Sequence, residues 1–142
     1  MKEGMNVWHG ILTTVGGFFG WFLGGMNGFI YALLAFVVVD YITGVAAAFI
    51  EKRVSSAVGF KGIIRKVMIF VLVGIGNIID TEVIQSGSAV RTAIAFFYLS
   101  NEGISILENA SVIGLPIPKK LRKVLQQLKK DAGETEEEDE VE

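Results

Sequence analysis

The stretch FIYALLAFVVVDYITGVAAAFI, residues 29–50, carries a single charged residue, Asp40. An α-helix rises about 1.5 Å per residue and a hydrocarbon core is about 30 Å thick, so about 20 apolar residues suffice to cross it. This run fits one crossing. Upstream, residues 4–39 hold no charge at all in a chain of 142 residues. A soluble domain of that size cannot hide so much apolar surface. The continuous run suits two helices, residues 7–23 and 29–50, joined by the turn Gly24-Gly25-Met26-Asn27-Gly28.

Working outward, residues 51–66 read as a polar connector with five basic residues against one acid. A third segment, 67–79, is short: thirteen residues reach only about 20 Å. It spans only if Arg65 and Lys66 snorkel, the helix stays upright or the bilayer thins. Residues 80–91 read as a polar loop, with Asp80, Glu82 and Ser86-Gly87-Ser88. A fourth segment starts at Thr92, is interrupted by Glu102 and Glu108, and stops at Pro116 and Pro118. Residues 119–130 read as a basic amphipathic helix, with Leu121, Val124, Leu125 and Leu128 on one face. Residues 131–142 hold eight acids and no base and are expected to be a disordered tail.

The expected fold class is therefore all-α: an integral membrane protein with three to four transmembrane helices in residues 1–118, a cytoplasmic amphipathic helix and an acidic tail. Lys2 precedes the first apolar stretch, but that stretch outruns a signal-peptide core, so the N-terminus is expected to be retained. The connector 51–66 and the helix 119–130 hold eleven of the thirteen Lys and Arg, which places both in the cytoplasm. Four crossings with both ends inside satisfy this. So do three, with residues 7–23 lying along the interface and the N-terminus outside.

Gly16, Gly20, Gly24 and Gly28 recur every fourth residue, with Gly44 and Ala48 repeating the spacing in the second segment. Small residues so placed let helix backbones approach in lipid, which suits self-association. Packing within one chain, or a turn at Gly24-Gly25 that ends the ladder after Gly20, is the competing reading. Asp40, Glu102 and Glu108 would each cost about 2.5–3.5 kcal/mol if they faced lipid. They should therefore face other helices, meet a basic partner or line water. On the fourth segment Glu102 and Glu108 join Asn101, Ser105 and Asn109 in a broad polar stripe, suited to a lumen wall or subunit contact; a helix end at the headgroup level is the blander alternative. No catalytic motif, metal-ligand cluster or phosphate loop is present, and there is no cysteine. Neither an enzyme nor a cofactor is expected. His9, the single histidine, reads as interfacial.

Four stretches taken in order carry a resemblance: Asp40-Tyr41-Ile42-Thr43-Gly44, Val58-Gly59-Phe60-Lys61-Gly62-Ile63-Ile64-Arg65-Lys66, Asn101-Glu102-Gly103-Ile104-Ser105-Ile106-Leu107-Glu108-Asn109, and Gly114-Leu115-Pro116-Ile117-Pro118. Over residues 29–128 the chain resembles the toxin-secretion and phage-lysis holin family. The resemblance implies a homo-oligomer in the bacterial inner membrane that opens lesions for an endolysin or an exported toxin and so lyses the host. It admits an inhibitory antiholin as a further partner and gives no reason to expect nucleic acid. A small ion channel or transporter subunit, and a non-conducting membrane scaffold, are the competing classes.

Overall fold

A computed structural model of the chain describes residues 1–124 and residue 127. Its long helices are α1 (Lys2–Phe22), α2 (Gly28–Ile50), α3 (Ser56–Ile78) and α4 (Ala89–Ile113). A π-helical turn, Ile79–Ile84, continues α3 directly. Residues 119–124 are again helical.

Local chemistry sets the boundaries. The Asn27 side chain accepts from the Ile30 amide at 3.0 Å and starts α2, and Ser55 does the same for Val58 and α3 at 3.1 Å. Gly24 and Gly25, at φ +82° and +89°, end α1 in a backbone conformation that a side chain resists. Gly114, at φ +106°, closes α4 ahead of Pro116.

Gly103 of α4 faces Phe36 of α2, and further along Asn109 reaches Asp40 and Thr43, so these two helices run side by side in the same direction. Antiparallel to them, α3 sets Lys66 beside Asp40 and Glu102, and Gly76 beside Arg91. Between the three lies a small core that includes Ile30, Leu33, Val37, Ile69, Val73 and Ala95. No residue of α1 is buried. Its C-terminal end alone is fixed: the Phe22 ring lies on Gly74, where no Cβ would fit, and the Asn77 amide donates to the Phe22 carbonyl at 3.2 Å. Large apolar side chains such as Trp8, Trp21, Phe49 and Phe60 point outward, the arrangement expected of a surface solvated by lipid.

Among the described residues, two helices are long and apolar enough to cross a membrane, Gly28–Ile50 and Ser56–Ile84. Three to four were expected; α1 and α4 do not meet the same test of length and composition. Three boundaries also move. The connector 51–66 shrinks to residues 51–55, because from Ser56 onward the basic residues ride on α3. The third segment then has 29 residues instead of thirteen, or about 43 Å, and its shortfall disappears. The polar loop 80–91 shrinks to residues 85–88, because Asp80 and Arg91 are built into helical structure. In the basic helix 119–130, Leu125 and Leu128 lie outside the described residues, as does the tail 131–142.

Candidate functional site: a charge cluster bordering a cleft

Asp40 on α2, Lys66 on α3 and Glu102 on α4 meet in the middle of the bundle. The Lys66 ammonium donates to the Asp40 Oδ2 at 2.6 Å and to the Glu102 Oε2 at 2.7 Å. Asn109, two turns beyond Glu102, donates from Nδ2 to the Asp40 Oδ1 at 2.9 Å, to its backbone oxygen at 3.2 Å and to the Thr43 hydroxyl at 3.0 Å. Both carboxylate residues are 8% exposed. A lone carboxylate at this depth would be costly; a shared cation and an amide donor offset that cost and tie three helices together. The cluster has two carboxylates for one ammonium, so removing the cation leaves two acids facing each other.

Beside the cluster a cleft of about 930 Å³ opens between the N-terminal half of α3 and the C-terminal halves of α2 and α4. Tyr41, Ser55, Arg65, Asn101, Ser105 and Glu108 line it along with the cluster. Gly59 and Gly62 make room on α3, where Tyr41 lies against them.

Of the residues singled out in the sequence, Asp40, Glu102 and Asn109 come together. Ser105 and the partly buried Glu108 border the cleft, and Asn101 is exposed at its edge. The glycine ladder does not run along one helix. It breaks after Gly20, because α1 ends at Phe22; Gly24 lies in the turn against Asn77 and Arg91, and Gly28 opens α2. Gly16 and Gly20 face open space. Gly44 packs toward Asn109 within the same chain, and Ala48 lines the cleft.

Lys66 was absent from the sequence-derived site. It read as the end of a basic loop, although a pair of buried carboxylates calls for a cation and Lys66 borders the apolar run. A second polar cluster was also missed, at the end of the bundle where α4 begins. Asp80, 1% exposed, accepts from the amides of Val90 at 3.0 Å and Arg91 at 2.8 Å and so caps α4, whose own Ser88 makes no cap bond. The Arg91 guanidinium donates to the carbonyls of Gly24 at 3.0 Å and Gly25 at 2.7 Å. Among the described residues no group of three His, Cys, Asp or Glu could hold a metal ion.

A helical membrane protein with charge buried between its helices is the class this arrangement defines. Residues 17–130 match the model of the bacteriophage holin family, and the chain belongs to that family. Among its relatives, an uncharacterized 14.9 kDa protein of Clostridium perfringens is 38% identical over 117 residues, covering 82% of this chain and 89% of the relative. An uncharacterized protein of Halalkalibacterium halodurans is 46% identical over 103 residues, 70% of this chain and 76% of its own length. A probable holin of Bacillus phage phi105 is 34% identical over 107 residues, 75% of this chain and 78% of the phage protein. No solved structure matches the chain.

Proposed function

We propose that this holin-family protein inserts in the bacterial inner membrane, assembles with copies of itself and opens holes that release an endolysin, or in some settings a toxin, ending in host lysis. The observation that carries the reading is the Asp40–Lys66–Glu102 cluster beside an open cleft. Charges sequestered between helices of one chain can turn toward water when chains assemble around a lumen, which gives two states separated by a modest rearrangement. The exposed apolar flanks of α1 and the open space at Gly16 and Gly20 leave surface for other copies.

The proposed orientation has the C-terminus in the cytoplasm. Residues 51–55 and the start of the basic stretch after α4 leave the bundle at the same end, in keeping with one cytoplasmic face. On this reading α2 runs inward, α3 outward and α4 inward. Crossing by α4 is tolerable because its Glu102 and Asn109 turn onto α2 and α3. A crossing α1 makes four, with the N-terminus inside.

Induced expression in a bacterium, with and without a co-expressed hydrolase lacking its own export signal, tests this. Culture density and entry of a membrane-impermeant dye are followed together. Abrupt lysis that requires the hydrolase, after a reproducible delay, is expected. Depolarisation without hydrolase release would assign a small ion channel, and no effect on either would assign a scaffold.

A further inference from the structure

α1 divides by size and polarity along its length. Asn6, His9, Gly10, Thr13 and Gly17 recur at three- and four-residue spacing and share one face, while Trp8, Ile11, Val15, Phe18 and Phe22 share the opposite one. Only the end of this helix is tied to its own bundle, through Phe22 on Gly74 and Asn77 on the Phe22 carbonyl. Asn6, His9 and Thr13 are exposed, and their side chains make no hydrogen bond among the described residues. Where α1 crosses the membrane, hydrocarbon offers these groups no partner.

The cleft supplies what that face lacks. On its lining Asp40, Glu102 and Glu108 are balanced by Arg53, Arg65 and Lys66, so it offers polar contacts without a net charge that would favour an ion. Asn101 at its edge is exposed, and its amide is unbonded among the described residues. Size agrees as well: a helix about 10 Å across fills about 120 Å³ per residue, so a cleft of about 930 Å³ takes about two turns. The stretch from Asn6 to Thr13 is two turns long. Depth agrees too. Phe22 lies against Gly74 and Arg91 against Gly76, which puts all four at one end of the bundle. Thr13, nine residues before Phe22, lies about 14 Å from that end; Asn101, ten residues after Arg91, lies about 15 Å from it. Gly10 and Ser105 fall at about 18 Å and about 21 Å by the same measure.

Given self-assembly in the membrane with α1 crossing, we infer that α1 of one copy seats its polar face in the cleft of the next. Asn101 then meets Thr13, and Ser105 meets the backbone left bare at Gly10. Face and cleft are different surfaces, so copies joined this way run head to tail, and a rotation that closes makes a ring.

The chain has no cysteine, so introduced thiols are the only ones. A Thr13→Cys chain and an Asn101→Cys chain, carrying tags of different size, are reconstituted together in vesicles and oxidised. Both positions are exposed in the single chain, so its fold is not at stake. An Ile11→Cys chain on the opposite face of α1 is the control. A disulfide needs Cβ atoms about 4 Å apart, so Thr13→Cys is expected to give about fivefold more mixed dimer than Ile11→Cys. The double variant Thr13→Cys, Asn101→Cys is expected to give a ladder of linked chains. A monomeric disulfide in that variant overturns the inference and assigns α1 to the cleft of its own chain. Thr13→Cys chains that pair with one another instead overturn it in favour of a symmetric contact between α1 helices. The unmodified chain is treated with an amine cross-linker in parallel. Cross-linked oligomers without preference for Thr13→Cys over Ile11→Cys overturn the seating of α1 and leave self-assembly standing. Absence of any oligomer overturns both.

Discussion

The bundle has one polar cluster in its middle and another at one end, and the two hold it together differently. Asp40, Lys66 and Glu102 are side chains that satisfy one another across three helices. Asp80 and Arg91 instead satisfy backbone: two amides at the start of α4 and two carbonyls in the turn between α1 and α2. Side-chain pairing makes each member's cost depend on the others, so the first cluster is cooperative and can rearrange as a unit. Backbone groups have no alternative state away from water. The second cluster therefore works as a fixed joint, and the difference separates the part of the molecule suited to switching from the part suited to anchoring.

The largest effect is expected at Lys66→Met, which strands two buried carboxylates and should cost about 3–5 kcal/mol in unfolding from detergent. The triple variant Asp40→Asn, Lys66→Met, Glu102→Gln should recover most of it. If the triple is as unstable as the single, the cluster is not cooperative and the contrast fails. Arg91→Ala should cost less, about 2–3 kcal/mol, with the loss read locally as faster proteolysis at residues 23–27. Arg91→Lys should recover little, because an ammonium cannot bridge two carbonyls as the planar fork does. Asp80→Ala should cost about 1 kcal/mol as a lost helix cap, seen as faster hydrogen exchange at the Val90 and Arg91 amides. Smallest of all, Gly16→Ala and Gly20→Ala should change the stability of the single chain by no more than about 0.5 kcal/mol, since each faces open space. A fall in cross-linked oligomer in the same variants would sharpen the view that α1 meets other copies. A large loss of monomer stability would break it.

The sequence disclosed the cluster's acids more readily than its base. Asp40 and Glu102 stand out because they interrupt apolar runs, and Asn109 follows from helical spacing. Lys66 sits among other basic residues, and charge counting groups it with Lys61 and Arg65 as a loop; only the partner requirement of two buried acids separates it. The helical character of residues 56–66 was hidden for the same reason, although Ser55 is a helix-starting residue and Gly59 and Gly62 interrupt the pattern. Asp80 and Arg91 flank Ser86-Gly87-Ser88, and a polar stretch around glycine reads as solvent-exposed loop. Their bonds go to backbone, which has no sequence signature. For the ladder, periodicity alone could not decide between a continuous face and a turn at Gly24-Gly25; the positive φ angles of that pair decided it.

The π-helical turn at Ile79–Ile84 bears on heredity as well as on shape. Its hydrogen bonds reach one residue further than those of an α-helix, so it stores one residue more than the regular coil beside it needs. Loss of a codon there would return the segment to α-helix without shortening either flank, and gain of a codon would restore the bulge. Length changes between related genes should therefore collect at this turn, next to the joint that fixes α1, and spare the helices that carry the buried charges.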